Sequence, residues 1–269
     1  MDYQALPPSP ELRRFVRCYW AASDVGSNEA PADTVVPDGC AEIIVNVGAP
    51  MVQVEGDASH TQPRILLVGE VRQPVKVRPA GNVDLFGIRL TPVGLRTLLR
   101  VPAFELVDRA FDVMDVADQR LRTGLLRLGS ALPRMRPKLA DELLLGMISS
   151  HRQLDTLVWR VADTMESSDG RCNVSELAAK GGITVRQLER RFLLQVGIPP
   201  RALMSVLRFR RVLASLDARM PAWAHVAASC GYHDQSHLIR DFKRYTGMSP
   251  RAFLGDAHPF GDLFLPDRS

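Results

Sequence analysis

The feature that most constrains how this chain can fold is a repeat, offset by fifty residues, near its C-terminal end. The first copy runs from residue 175 to 203 and the second from 224 to 253. Seven positions are identical after the shift: Leu188, Arg190, Phe192, Gly197, Pro200, Arg201 and Ala202 match Leu238, Arg240, Phe242, Gly247, Pro250, Arg251 and Ala252. So many identities in a short window indicate one structural unit present twice.

Each copy has the pattern of a helix-turn-helix. A short apolar helix is followed by glycine where the chain must turn sharply, at residues 181–182 and at Gly231. A second helix then carries apolar residues four positions apart and ends near a glycine with proline close behind. These apolar pairs are Leu188 with Phe192, and Leu238 with Phe242.

The face of each second helix that lies opposite the apolar pair is polar. Arginine, glutamine and serine on such a face can hydrogen-bond to base edges in a major groove. The sequence therefore predicts two sets of candidate DNA-reading residues. They are Arg186, Glu189 and Arg190 in the first copy, and Gln235, Ser236, His237 and Arg240 in the second.

The segment between the copies, residues 201–216, is predicted to be one long amphipathic helix that holds the units at a fixed separation. Arg208, Arg210 and Arg211 add positive charge beside them. From residue 166 to 254 there are 14 lysine and arginine residues against 7 acidic ones, whereas the whole chain has a net charge of only +4. A basic C-terminal part joined to a slightly acidic N-terminal part is typical of a sensor attached to a nucleic-acid binder.

These residues carry a resemblance to a known family. The paired units, the linking helix and the run from Tyr232 to Phe253 resemble the DNA-binding domain of the AraC/XylS family of transcriptional regulators, over residues 163–254. In that family the second helix of each unit enters one of two successive major grooves. The resemblance implies the base-reading roles given above and makes double-stranded DNA the expected partner. Glu189 is a departure, since an acidic residue would face DNA: it either accepts from cytosine or only orients an arginine.

From Thr34 to Leu90 the sequence predicts β-structure, with a Pro-Asp-Gly turn at residues 37–39 between two apolar runs. Further short runs follow at residues 53–56, 64–69, 74–78 and 83–90, separated by Gly, Pro and Asn. Such spacing is typical of a small β-barrel or of two packed sheets, so the expected class is α+β with an all-α C-terminal domain. Residues 37–47, which contain the sequence PDGC, resemble the N-terminal domain of one AraC-family branch. That resemblance implies a regulatory domain rather than a known ligand.

From Thr91 onward the apolar period becomes helical. Helices are expected over residues 91–102, with Thr91 as N-cap, and over 103–113, 118–132, 137–150 and 155–166. We place the domain boundary at residues 150–151, so that residues 1–150 form a regulatory domain and residues 151–269 a DNA-binding domain, and we expect a flexible joint near residue 168. The leucine stripes of these helices have two interpretations: they cover the sheet, or one of them within residues 118–165 forms a dimer interface.

No pattern of a catalytic or metal site is present in the sequence. The β-region has only His60, and the four cysteines show no metal-ligand spacing. Asp38, Cys40 and Glu42 alternate and could share a strand face, but a turn aspartate, a buried cysteine and a surface glutamate are the simpler interpretation. The N-terminus has no leader and no run is long enough to span a membrane, so a cytoplasmic protein without cofactor is expected.

The sequence thus predicts a DNA-binding transcriptional regulator that is not an enzyme. Its candidate partners beyond DNA are RNA polymerase, a small-molecule effector and a second copy of the chain. Two alternatives remain for the N-terminal part: it serves only oligomerisation or partner contact, or it is an enzyme-like domain fused to the DNA-binding tail. His225 and His233 are expected to be ordinary surface or capping residues, whereas His237, on the reading face, is the better candidate for a DNA contact.

Overall fold

The structure is a computed structural model that describes residues 1–25, 31–99, 102–148, 154–216 and 222–255. Within those ranges the N-terminal half consists of two antiparallel β-sheets with helices packed against one of them, and the C-terminal half is helical. This confirms the α+β class. The two sheets remain open and separate among the described residues, so the packed-sheet form of the prediction is confirmed and the closed barrel is not.

Ten strands make up the two sheets. Their bounds are β1 (Asp2–Leu6), β2 (Val16–Asp24), β3 (Asp33–Val35), β4 (Glu42–Asn46), β5 (Met51–Glu55), β6 (Ala58–Thr61), β7 (Ile65–Val68), β8 (Val75–Pro79), β9 (Val83–Leu90) and β10 (Ala110–Asp112). The first sheet has the order β1-β2-β9-β4-β7-β10 and the second the order β3-β8-β5-β6. The predicted turn at residues 37–39 therefore carries the chain from one sheet to the other, since β3 and β4 do not pair.

The central strand β4 shows how the first sheet divides its two faces. Ile43 and Val45 point into a core formed with the N-terminal helices. Side chains alternate along a strand, so Glu42, Ile44 and Asn46 lie on the opposite face, towards the second sheet. Polar side chains are therefore placed between the sheets, in an otherwise apolar layer.

Eleven α-helices are described. Their bounds are α1 (Gly94–Leu98), α2 (Val113–Val116), α3 (Gln119–Gly129), α4 (Arg136–Ile148), α5 (Thr156–Ser167), α6 (Val174–Lys180), α7 (Val185–Gln195), α8 (Pro200–Ser215), α9 (Trp223–Ser229), α10 (Gln235–Thr246) and α11 (Pro250–Gly255). Short 3-10 turns precede β2, at Pro10–Leu12, and follow α1, at Ala103–Glu105. None of the helices in the described ranges is both long and apolar enough to cross a bilayer.

The helix predicted over residues 91–102 is present but begins later, and the helix prediction over residues 103–113 was wrong. The Thr91 hydroxyl donates to the carbonyl of Arg14 at 2.8 Å instead of capping a helix, and α1 begins only at Gly94, after Val93. The predicted helix over residues 103–113 is a 3-10 turn followed by β10, which pairs with the edge of β7. Pairing with an exposed strand satisfies the backbone groups there, and this tertiary contact overrides local helix preference.

The two repeated units form as predicted and share α8. Helices α6 and α7 make the first unit around Leu188 and Phe192, and α9 and α10 make the second around Leu238 and Phe242. Both tight turns use glycine with positive φ, at Gly182 (67°) and Gly231 (77°). Residues Leu203, Met204 and Leu207 of α8 pack into the first core, and Val206, Phe209, Val212 and Leu213 into the second.

The segment expected to be a flexible joint is a packed turn. Arg211 donates to the Asp169 carboxylate at 2.6 Å, and Arg208 donates to the Gly170 carbonyl at 3.2 Å. A Cβ atom at Gly170 would lie 2.3 Å from the carbonyl oxygen of Met204, so only glycine fits there. The predicted boundary at residues 150–151 lies outside the described residues.

Candidate nucleic-acid interface and cavity

Helix α7 of the first unit presents a polar face away from its core. Thr184 and Gln187 form a reciprocal capping box at its N-terminus, which fixes where the helix begins. Leu188 and Phe192 are fully buried, while Arg186 and Arg190 are exposed and Glu189 is half-buried. The structure thus brings the three predicted reading residues of this unit to one accessible side of α7.

Helix α10 of the second unit has the same arrangement. The Asp234 carboxylate caps it by accepting from the backbone N–H of His237 at 2.7 Å, and this hydrogen bond lowers the pKa of Asp234. Gln235, Ser236 and Arg240 are exposed. The Arg240 guanidinium is 3.4 Å from the Ser236 carbonyl, so it lies along its own helix and is free to extend.

His237 differs from the other predicted reading residues because it is engaged within its own unit. Its ring packs edge-on against Tyr232, with the ring centroids 5.0 Å apart, and its Nε2 lies 3.9 Å from the Asp241 carboxylate. Asp241 in turn accepts from the Ser205 hydroxyl of α8 at 2.8 Å. His237 therefore contributes to packing on the side of the helix where Gln235 and Ser236 are open to solvent.

Arg208, Arg210 and Arg211 of α8 have structural roles rather than adding charge beside the reading helices. Arg208 and Arg211 hold the Asp169–Gly170 turn, and Arg208 also lies 5.7 Å from the Tyr232 ring centroid. Arg210 is half-buried near Asp38 and Cys40, and burial lowers its pKa. Exposed cations remain elsewhere on the C-terminal half, at Lys180, Arg201, Lys243, Arg244 and Arg251.

A cavity of about 150 Å³ lies between the two sheets. Its apolar lining comes from both: Trp20, Ile44, Leu66 and Leu85 from the first sheet, and Val35, Met51, Val75 and Val77 from the second. The loop that joins β3 to β4 closes one side through Val36, Pro37, Asp38 and Cys40. A concave, mainly apolar site with a few polar groups is the usual form of a small-molecule site.

A cluster of buried charged groups borders this cavity. Glu42 accepts from Arg89 at 2.6 Å and from the Trp20 indole at 3.3 Å, and the Asp38 carboxylate lies 3.4 Å from Arg89. The expectation of a surface glutamate was wrong: Glu42 is only 5 % exposed because it faces the second sheet directly opposite Arg89 of β9. Burial raises the pKa of Glu42, with Arg89 acting in the opposite direction.

The other two members of that sequence pattern have the predicted roles. Asp38 accepts from the backbone N–H of Cys40 at 3.0 Å, so it is a turn aspartate. Cys40 is buried, and its burial raises the pKa of the thiol to about 12. A thiol of this kind stays protonated at neutral pH and is a packing group rather than a nucleophile.

Glu70 follows β7 and is buried beside the same loop, with its Oε1 lacking a hydrogen-bond partner among the described residues. Burial raises its pKa to about 8, and Asp38 and Asp108 act in the same direction against Arg17 and Arg210. Between the ordinary carboxyl value of 4.5 and 8, the folded protein therefore keeps a proton that the unfolded chain has released.

The stability of the protein should consequently fall as the pH rises from about 5 to about 8. Glu70→Gln removes this titration and should raise the melting temperature relative to wild type at pH 8.5, with the difference disappearing near pH 5. Thermal unfolding across that pH range measures it. The exposed Glu105 supplies the control, since Glu105→Gln should keep the wild-type profile; a Glu70→Gln difference that does not change with pH would contradict the assignment.

The cavity and its charged border could not be located from the sequence, although one signal was present. Glu42 and Asn46 sit at the two ends of an apolar strand run and share one face of it. Polar residues at such positions in a central strand indicate a polar or liganded layer between sheets. No group of three or more His, Cys, Asp or Glu side chains within the described ranges is arranged to hold a metal ion.

Comparisons with known proteins match both halves of the chain. Residues 177–256 match a family described as a helix-turn-helix domain, and residues 4–112 match a domain of unknown function, DUF6597. The HTH-type transcriptional regulator MtrA of Neisseria gonorrhoeae is 29 % identical over 149 residues, which is 51 % of this chain and 48 % of MtrA. This chain therefore matches about half the length of that curated relative.

A solved structure of ToxT from Vibrio cholerae has a similar fold. It superimposes with a TM-score of 0.50 at 11 % identity, and the alignment covers 88 % of this chain and 98 % of ToxT. The alignment extends over both the sheets and the helical part. The likeness thus supports the order of a sheet-containing half followed by a helix-turn-helix half.

Proposed function

We propose that this chain, which belongs to the AraC family of transcriptional regulators, binds double-stranded DNA sequence-specifically and thereby regulates transcription. The observation that carries the proposal is the pair of helix-turn-helix units joined by α8, each with a buried anchor pair and an exposed polar face. Residues 151–269 form the DNA-binding domain in this proposal and residues 1–150 the regulatory domain. RNA polymerase contact stays a prediction of the family resemblance.

Helices α7 and α10 are the two reading helices. Arg186, Glu189 and Arg190 contact one major groove, and Gln235, Ser236, His237 and Arg240 contact the next. Five of these seven residues are exposed, whereas Glu189 and His237 are half-buried, and His237 also packs on Tyr232. Arg191, which precedes Phe192, is a different case because it binds Asp155 of the N-cap of α5 at 2.5 Å.

The test is DNA binding by the full-length protein, measured by fluorescence anisotropy at two salt concentrations. Several Arg and Lys contacts to phosphate release counterions, so affinity should fall steeply as salt is raised. Footprinting on a selected site should show two protected patches about 10 base pairs apart on one face of the duplex. Equal affinity at both salt concentrations, or one compact patch, would contradict the proposal.

Arg190→Ala and Arg240→Ala should separate base reading from phosphate binding. Arg190 is flanked by Glu189 and lies one turn after Arg186, which can fix its geometry, so we expect a base contact. Its loss should cost about 1–3 kcal/mol and relax preference at one base position. Arg240 lies further from the start of its helix, so we expect a phosphate contact, with uniform weakening and a salt slope lower by about one.

Selection of binding sites from a random library decides between these outcomes. The exposed Arg64, which precedes β7, provides the control, and Arg64→Ala should return the parental consensus and affinity. An Arg190→Ala variant that also returns the parental consensus would show that Arg190 does not read a base.

The cavity between the sheets makes effector sensing the favoured role of the N-terminal half. Residues of both sheets line it, and the lining is mainly apolar. Thermal-shift screening of the full-length protein with small molecules tests this role. Because the binding free energy adds to the stability of the folded state, a true effector raises the melting temperature in a concentration-dependent way.

A second role, assembly of two copies, is favoured by an exposed apolar surface on the α3–α4 hairpin. Its members are Leu126, Leu132, Met135 and Leu145, which are 55 %, 61 %, 41 % and 37 % exposed. Light scattering after size exclusion should detect a dimer that Leu126→Glu with Leu145→Glu dissociates. Val25→Glu, at an exposed residue before the second sheet, should leave the mass unchanged; a monomeric wild type would rule this role out.

A further inference from the structure

The loop between β3 and β4, residues 36–40, lines the cavity on one side and packs against the DNA-binding half on the other. We propose that the cavity binds a compact, uncharged and mainly apolar molecule, and that this loop transmits its binding to α8 and the second helix-turn-helix unit. The inference rests on the proposed function, since it names the class of effector and the route of its action.

The size and lining of the cavity limit the ligand. A volume of about 150 Å³ accommodates a molecule about as large as a single six-membered ring. Trp20, Ile44, Met51 and Leu66 are among the side chains that such a ring would touch. Apolar contact with these walls is the main source of affinity.

The charged border of the cavity excludes an ionised ligand. Asp38 and Glu42 lie 3.4 and 2.6 Å from the guanidinium of Arg89, and Asp38 is also near Arg17, so these charges balance one another. Arg109, a cation of the lining, stacks on the Phe111 ring at 4.6 Å. A ligand carboxylate would meet the carboxylates of Asp38 and Glu42, and a ligand cation would compete with Arg89 for them. An uncharged molecule avoids both costs.

Asn46 can provide one directional contact. Its side-chain nitrogen donates to the carbonyl of Ala49 at 2.9 Å, which assigns the amide orientation and leaves Oδ1 as an acceptor. Oδ1 is buried and lacks a hydrogen-bond partner among the residues that the structure describes, and Asn46 lines the cavity. A hydroxyl or amide N–H on the ligand would supply the hydrogen bond that Asn46 Oδ1 lacks.

The far side of the loop contacts α8. Val36 lines the cavity and is also a member of the second unit's core, with Val206, Phe209 and Val212. A Cβ atom built at Gly39, where φ is 82°, would lie 3.4 Å from Leu203 and 3.5 Å from Val206. A ligand that displaces Val36 by even a fraction of an ångström therefore disturbs the packing that positions α10.

The first test compares three probes that share one ring, namely benzyl alcohol, benzoate and benzylamine, on the full-length protein. Benzyl alcohol should raise the melting temperature as its concentration rises, and the two ions should raise it less or not at all. A benzoate or benzylamine shift equal to or larger than that of benzyl alcohol overturns the ligand class. If none of the three shifts the melting temperature, the cavity is not a site for such molecules and the inference fails.

The second test measures DNA affinity with and without benzyl alcohol at saturation. Binding should change the Kd for DNA at least about fivefold, as expected for coupled sites. In Val36→Ala the thermal shift should persist while the effect on DNA affinity is lost. Val54 of β5 belongs neither to the cavity lining nor to the second unit's core, so Val54→Ala should keep both effects.

Val36→Leu is a second variant for the case that Val36→Ala does not fold, since leucine fills the space that alanine would leave empty. It should also retain the thermal shift and lose the coupling. Coupling that survives in both Val36 variants overturns the route through the loop. These failures differ from failure of the proposed function, in which the ligand-free protein would not bind DNA at all.

Discussion

Replacing Arg89 with leucine should lower the free energy of unfolding by about 3–5 kcal/mol. Arg89 is 5 % exposed and lies between the carboxylates of Glu42 and Asp38. Leucine leaves Glu42 without its counter-charge, and an unpaired buried charge costs far more than an exposed one. Burial acts to lower the pKa of Arg89, but the two carboxylates outweigh it and hold the pKa well above its usual value.

Urea denaturation of the wild-type and variant proteins measures this loss. Arg72 provides a matched control, because it forms a 2.5 Å pair with Asp108 but its side chain is 44 % exposed. Arg72→Leu should therefore cost less than about 1 kcal/mol. Combining Arg89→Leu with Glu42→Gln should recover part of the stability, since one of the buried charges is then gone. A loss below about 1 kcal/mol in the single variant would mean that the cluster is hydrated or rearranges.

The double helix-turn-helix could be predicted because residues close together in the sequence specify each unit, and the same pattern occurs twice. Each unit depends on an apolar pair four residues apart and a glycine turn, and the second copy repeats both. The repeat also shows which residues face inwards, so the exposed positions of α7 and α10 follow from helical geometry. Contacts between side chains that differ between the two copies do not follow from the repeat, and for this reason the engagement of His237 with Tyr232 was not foreseen.

The strands that were missed lack the signal that strand prediction uses. In β6 all four residues are exposed, so no apolar alternation is present, and β1 and β10 are edge strands stabilised by one neighbour each. Only the sheet edge they pair with makes them strands. The same limit explains the predicted helix over residues 103–113, whose apolar spacing fits a helix until the edge of β7 is available.

The cavity could not be predicted because its parts meet only through strand pairing. Glu42 and Arg89 are 47 residues apart and become neighbours through the register of β4 with β9. Arg208 and Arg211 of α8 are a similar case, since only the fold brings the turn at residues 168–171 into contact with them. Charge counted along the sequence therefore overstated the basic surface that is open to DNA.

Phe242→Ala should lower the free energy of unfolding of the second unit by about 3–5 kcal/mol. The Phe242 ring is fully buried and meets three other rings edge-on: Phe209 at 5.5 Å, Trp223 at 6.0 Å and Phe253 at 5.4 Å between centroids. Alanine removes the aromatic contacts and leaves a cavity where α8, α9, α10 and α11 converge. Affinity for DNA should fall with stability, because α10 loses the anchor that orients Gln235 and Ser236.

Arg240 makes this prediction specific, since it lies two residues earlier on the same helix and on its exposed side. Arg240→Ala should leave the free energy of unfolding within about 0.5 kcal/mol of the wild-type value while weakening DNA binding. Urea denaturation and anisotropy on both variants therefore give opposite patterns: stability and binding fall together for Phe242→Ala, and binding alone falls for Arg240→Ala. A Phe242→Ala protein as stable as wild type would show that the four rings do not form the core of the second unit. An Arg240→Ala protein that binds DNA as tightly as wild type would show that Arg240 does not contact DNA.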